Sequence, residues 1–235
     1  LYITDSISML RNNLLLGVVG NADLMLLELS EDHPAHEPAE QIAQAGLRAA
    51  DLCRQLLAFS GKGQVLSDEA ELTDLVQSLA PLLHMSLGGS RLHLDLATSL
   101  PPVTGDPEQL RQVIVNLVTN AAEALTDDPG AITIRTRSHD AAADPLANPV
   151  TGAPLPEGAY AVIEVADTGC GIAPEHLERV FEPFFTTKFL GRGLGLAAAQ
   201  GIVRAHHGTV RVSSAPGHGA TFTVLLPTVG VRGAP

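Results

Sequence analysis

The period of the apolar residues changes once along this chain, and that change restricts the fold more than any other feature. In the first 60 residues a mostly apolar seam advances by steps of four and three through Ile3, Ile7, Leu10, Leu14, Gly17, Asn21 and Leu24. Beyond the breaker "SEDHPAHEP" it resumes as Ile42, Ala45, Ala49, Leu52, Leu56 and Phe59. Such spacing keeps one stripe on one face of a helix. The two stretches therefore predict a helical hairpin, ended by Gly61 and Gly63 of "SGKGQ", which also supply a hinge. Two helices alone leave such stripes partly wet, so a homodimer through residues 1–60, closing a four-helix bundle, is expected. The alternative is a hairpin packed against the remainder of its own chain.

Past the hinge the pattern alternates between helix and strand. "ELTDLVQSLAPLLHMSL" reads as a helix, "RLHLDLAT" as a strand, "DPEQLRQVIVNLVTNAAEAL" as a helix opened by Asp106 with Pro107 in its first turn, and "AITIRTRS" as a strand. A polar, Pro- and Ala-rich stretch from about Asp140 to Glu157 has neither period and reads as a long surface loop. Then come the strand "AYAVIEVAD", a short helix "PEHLERVF", the helix "GLAAAQGIVRAHH" and a closing hairpin "GTVRVSSAPGHGATFTVLLP". The expectation is an α+β chain: a hairpin domain over 1–63, then an α/β sandwich over 64–230 with a mixed or antiparallel sheet and helices on one face.

Composition bounds the function. With 235 residues, 45% of them hydrophobic, the chain can bury a substantial core. Its net charge of −12 argues against nucleic acid as a partner, because phosphate backbones are held by clustered Lys and Arg. Cys53 and Cys170 have no second Cys or His at metal-ligand spacing, which suggests reduced thiols rather than zinc or a disulfide. No apolar run reaches about 18 residues and no basic-then-apolar leader opens the chain. A soluble, cytoplasmic protein is expected, with any membrane part in segments outside this sequence.

Three features of the second part carry chemistry. Asn116 and Asn120 lie four apart on one helix face, among Val113, Leu117, Val118 and Ala121. Amide oxygens can ligate a hard cation without adding charge, although two helical Asn are also ordinary capping or solvated residues. Asp167 ends a strongly apolar strand, and Gly169 and Gly171 flank Cys170, so the backbone can turn sharply and approach a ligand. A carboxylate at that place can accept a hydrogen bond from an exocyclic amine such as that of adenine. Glycines 191, 193 and 195 precede a helix, offering backbone N–H groups and a positive dipole end to phosphates, with Arg192 and Lys188 adding charge.

Taken in order, "NLVTNAAEAL", "DTGCGI", "FEPFFTTK", "GRGLGL" and "GHGATFTVLLP" resemble the successive boxes of the ATP-binding domain of sensor histidine kinases, a GHKL-type (Bergerat) fold shared with gyrase, Hsp90 and the MutL family. The resemblance covers about residues 70–228. It implies ATP and Mg²⁺ as cofactors, with Mg²⁺ at Asn120 assisted by Asn116. It implies adenine recognition by Asp167 helped by Gly169, Gly171 and Thr221, phosphate contacts from Lys188, and a mobile lid over Gly191, Arg192, Gly193, Leu194 and Gly195. ATPases of this superfamily tend to carry a water-activating glutamate where this chain has Asn116. An amide cannot act as that base, so transfer of the γ-phosphoryl group to a protein side chain fits better than hydrolysis.

The N-terminal hairpin resembles the dimerisation and phosphoacceptor region of the same kinases. Where these kinases read His-Asp-Phe-Asn-Asn-Leu-Leu, anchoring on Asn12 and Asn13 places Met9 at the histidine, Leu10 at the acid and Arg11 at the aromatic. An imidazole nitrogen can attack phosphorus with a carboxylate accepting its other proton; a thioether cannot attack productively and a leucine accepts no proton. The resemblance implies a two-component histidine kinase core, an ATP-dependent transferase passing phosphate to histidine and on to the receiver domain of a response regulator. The departures at Met9 and Leu10 open the alternative of a pseudokinase scaffold, a nucleotide-binding dimer that docks or regulates a response regulator or partner kinase. His33 and His36 read as solvated turn residues, His84, His206 and His207 belong to the second domain, and the "HHG" pair reads as favourable charge at a helix C-terminus.

Overall fold

Two helices, α1 (residues 17–28) and α2 (His36–Phe59), are joined by a short turn in which Ala35 N–H donates to His33 Nδ1 at 3.1 Å. The computed structural model describes residues 17–59, 68–87, 91–125, 130–143, 146, 154–188 and 193–229. The chain divides into two units, Leu1–Leu57 and Ala58–Pro235. Gly61, Gly63 and the acceptor positions Met9 and Leu10 lie outside the described residues.

In the first unit α1 and α2 meet through small side chains. Ala22, Ala39 and Ala43 are buried, and a Cβ on Gly46 would lie 2.6 Å from Val19 Cγ2. Within the single chain the buried face of α1 thus runs through Val19 and Ala22, while Gly17, Asn21 and Leu24 of the apolar seam are exposed, as is Ile42 of α2. Closely spaced helices need small residues between them, so the larger side chains turn outward. Leu24 is 60% exposed and Leu27 83%.

The second unit opens with β1 (Asp68–Ala70), α3 (Leu72–Ser86), β2 (Arg91–Leu96), β3 (Val103–Gly105), α4 (Pro107–Ala124), β4 (Ala131–Asp140) and β5 (Ala159–Asp167). It continues with α5 (Pro174–Leu177), α6 (Gly195–Ala205), β6 (Thr209–Ser214) and β7 (Ala220–Pro227). β1 and β3 form a small antiparallel pair. The other five strands make one mixed sheet in the order β2-β4-β5-β7-β6, in which only β2 and β4 run parallel. Alternation along β4 and β5 sends Ile132, Ile134, Ala161, Ile163 and Val165 into one core with Leu72, Ile114, Leu117 and Ile202 of the helices.

The opposite sheet face is mostly polar, with Arg135 to Asp95 at 3.1 Å and Arg137 to Glu164 at 3.2 Å. At one end it is covered. Leu146 and Leu155, from the stretch expected to be a surface loop, pack on Ala141, Tyr160, Val162 and Leu225. The Tyr160 hydroxyl donates to Pro156 O at 3.0 Å, and burial raises its pKa. No helix among the described residues is long and apolar enough to cross a membrane.

Helix α4 starts as its sequence prescribes, with Asp106 accepting from Glu108 N–H at 2.9 Å and Gln109 N–H at 3.3 Å and Pro107 in the first turn. The end of α6 differs from expectation. His206 is buried, its Nδ1 donates to Ile202 O at 2.8 Å, and its Nε2 accepts from Asp106 N–H at 3.0 Å. An acceptor at Nε2 requires the neutral ring, and burial lowers its pKa. His206 therefore supplies no charge to the helix end and instead pins α6 to the start of α4.

Candidate functional site

Asp167 closes β5, paired with Ile132 of β4, while its neighbour Ala166 faces Thr221 of β7. Its Oδ1 accepts from Gly169 N–H at 2.8 Å and Ala220 N–H at 3.3 Å. Its Oδ2 is buried with no hydrogen-bond partner among the described residues. A buried acceptor left open is costly unless something fills it, and it suits an incoming N–H donor. Burial raises the Asp167 pKa, opposed by those two N–H groups and by the charge of Lys188.

The loop after Asp167 needs bare backbone. A Cβ on Gly169 would lie 2.4 Å from Ala124 O, at the end of α4, and Cys170 N–H donates to that same carbonyl at 3.1 Å. Gly171 has φ +72° and would place a Cβ 2.0 Å from Ala215 O. The two glycines read from sequence thus bring the loop against α4 and the β6–β7 connection. Cys170 is exposed and unpaired.

On α4 the two asparagines do different things. Both ends of the Asn116 amide are engaged inside the protein: Oδ1 accepts from Gln112 at 2.8 Å and Nδ2 donates to Gly195 O at 3.0 Å. Asn116 therefore ties α4 to the first residue of α6. Asn120 is partly exposed and meets Lys188, whose Nζ donates to Asn120 O at 3.2 Å, Asn120 Oδ1 at 3.3 Å and Glu123 Oε2 at 3.1 Å. The amide oxygen of Asn120 is a hard, neutral donor that here faces a cation, and a donor of that type fits Mg²⁺.

Of the glycine-rich stretch, Gly191 and Arg192 lie outside the described residues. Gly193 has φ +63°; its carbonyl accepts from Phe184 N–H at 2.8 Å, and a Cβ there would lie 2.5 Å from Phe185 O. It fastens the stretch to "FEPFFTTK". Leu194 is buried and precedes α6, whose start has no side-chain cap, unlike that of α4. A Cβ on Gly195 would meet only Asn116 Cγ at 4.0 Å, so internal packing does not require a glycine at this helix start. Uncapped N–H groups at a helix N-terminus suit a phosphate.

Several further residues, without a signal of their own in the sequence, hold these elements together. Gly219, at φ +68°, would push a Cβ to 1.9 Å from Asp167 O. Ser214 Oγ donates to Gly219 O at 2.6 Å and accepts from Ile172 N–H at 2.8 Å, fixing the loop that carries Gly171. Glu123 holds Lys188. The glycine lay inside the quoted "GHGATF", and Glu123 one helical turn beyond Asn120, but nothing in the chain order announces their partners.

Residues 105–230 match the family model described as histidine kinase-, DNA gyrase B-, and HSP90-like ATPase. Sensor kinase CckA of Brucella abortus (strain 2308) is 40% identical over 219 residues, 92% of this chain and 23% of that protein. The signal transduction histidine-protein kinase AtoS of Escherichia coli (strain K12) is 35% identical over 176 residues, 74% of this chain and 26% of its own. The crystal structure of full-length ShkA in complex with AMPPNP shares the fold, with a TM-score of 0.75 at 24% identity over 98% of this chain and 46% of that one. The chain thus spans about a quarter of the length of these two curated relatives. It belongs to the histidine kinase-, DNA gyrase B- and HSP90-like ATPases, and carries the ATP-binding domain of a sensor histidine kinase.

Proposed function

We propose that this chain is the core of a two-component sensor kinase, with a hairpin domain over 1–63 that dimerises and a catalytic domain over 64–230 that binds Mg²⁺-ATP. The observation that carries the nucleotide reading is the buried, unpartnered Oδ2 of Asp167. In this reading Oδ2 accepts from the exocyclic amine of adenine, beside the bare backbone of Gly169 and Gly171 and near Thr221. Asn120 holds Mg²⁺, which neutralises charge on the phosphates when bound, and Asn116 assists by tying α4 to the start of α6. The uncapped start of α6 and Lys188 receive the phosphates, and residues 191–195 serve as the lid.

Asn116 bears on the reaction type. An amide has no basic lone pair for a water proton, so this chain does not activate water there; it positions the γ-phosphoryl group for transfer to a side chain. The usual acceptor would be a histidine on the first helix, yet Met9 and Leu10 stand at the acceptor and acid positions. Met9 therefore favours a second reading: a pseudokinase scaffold whose nucleotide-bound dimer docks a response-regulator receiver domain or a partner kinase. The setting we propose is cytoplasmic.

Incubation with γ-labelled ATP separates the two. No acid-labile label is expected on the natural chain, and label is expected after Met9→His combined with Leu10→Asp. Acid-labile label on the natural chain would refute the loss of the acceptor. Absence of nucleotide binding in a titration would leave only the scaffold.

A further inference from the structure

The geometry points to Glu123 as a positioning residue that parks Lys188 in the place of the metal and so makes nucleotide affinity depend on the divalent cation. The inference rests on the reading of this site as one for Mg²⁺-ATP. An ammonium has three N–H donors. At Lys188 these have three acceptors within 3.1–3.3 Å: Asn120 O, Asn120 Oδ1 and Glu123 Oε2. In that state no donor remains for a phosphate. Lys188 can reach phosphates only by leaving Asn120 and Glu123.

The charge of a divalent ion decides the exchange. Asn120 Oδ1 is an acceptor for Lys188 and the proposed ligand of Mg²⁺, and a doubly charged ion competes better for it than an ammonium does. The pair is built to be displaced rather than to lock: the Lys188 and Glu123 side chains are 31% and 51% exposed, and half-exposed ion pairs contribute little net stability. Glu123 thus acts through Lys188. Without metal it withholds the lysine; with metal at Asn120 the lysine is released to the phosphates.

Isothermal titration of the full chain with ATP in excess Mg²⁺ and in excess chelator tests this, with adenosine as the control ligand. Glu123→Gln is expected to strengthen metal-free ATP binding by about two- to fivefold. It should shrink the ratio of metal-free to Mg²⁺ dissociation constants by a similar factor and leave adenosine affinity unchanged. Glu123→Asp should restore most of the wild-type ratio, and Glu123→Gln should change nothing in a Lys188→Gln background. The exchange is overturned if Glu123→Gln leaves the ratio as it is, if its effect survives without Lys188, or if it only weakens Mg²⁺-ATP binding. Failure of the wild-type chain to bind ATP at all would overturn the nucleotide reading and this inference with it.

Discussion

Asp167 stays buried because two backbone N–H groups hold its Oδ1, but its Oδ2 has no partner among the described residues, and burial raises its pKa above that of an ordinary aspartate. A raised carboxylate pKa means that the native state keeps its proton to higher pH than the unfolded chain. Stability from this group is therefore greatest below pH 3.8 and declines as pH rises through the native pKa. Asp167→Asn keeps the Oδ1 acceptor and removes the charge, so Tm at neutral pH should hold or rise. The amide offers a donor where the adenine amine needs an acceptor, and nucleotide affinity should fall about ten- to a hundredfold. Loss of Tm with retained affinity, measured by calorimetry on one sample, would contradict this assignment.

Two glycines of one turn differ in what surrounds them. Gly217 and Gly219 have φ +76° and +68°, but a Cβ on Gly217 meets nothing within 4 Å whereas one on Gly219 lies 1.9 Å from Asp167 O. Gly217→Ala should cost about 1 kcal/mol, the left-handed penalty alone. Gly219→Ala should cost about 2–4 kcal/mol, because backbone must move. Urea denaturation ranks them, and equal losses would show that the conformational term dominates both.

At the scale of elements, the contact between α6 and the start of α4 is pH-sensitive. His206 Nε2 accepts from Asp106 N–H, so a protonated ring would set two donors against each other. Its native pKa is lowered, hence below 6.5 the unfolded chain binds a proton that the buried ring refuses, and stability drops as pH falls. His206→Gln can retain the acceptor toward Asp106 but does not titrate. Its Tm should therefore fall less than that of the natural chain between about pH 7.5 and about pH 5.5. The elements themselves were legible: the Asp106 cap, the strands ending at Asp167 and Pro227, and the helix after Gly195 all follow local rules. The tautomer of His206 was not, since its two partners are Ile202, four residues away, and Asp106, a hundred residues back.

Across the whole molecule, the outward leucines of the first unit bear on assembly. Leu24, Leu27, Ile42 and Leu47 are exposed on a hairpin whose own interface uses alanine and glycine, and a second copy would cover them. Leu24→Asp with Ile42→Asp should shift sedimentation from dimer to monomer, with ATP binding by the second unit retained. A monomeric natural chain would remove the bundle from the proposal.

The order of motifs in the sequence was sufficient to identify the ATP-binding fold, and local backbone freedom and fixed helical spacing are what single out Asp167, Asn120 and the glycines for the roles proposed. Aligned on Asn12 and Asn13, the sequence places Met9 at the acceptor position in the proposal. Only the tertiary structure decided which asparagine is engaged inside the protein, that Lys188 spends its donors on Asn120 and Glu123, and that Oδ2 of Asp167 is left open. Each of those depends on groups far apart in the chain meeting at one end of the sheet, where burial and the count of available donors, rather than residue type, fix what a side chain does.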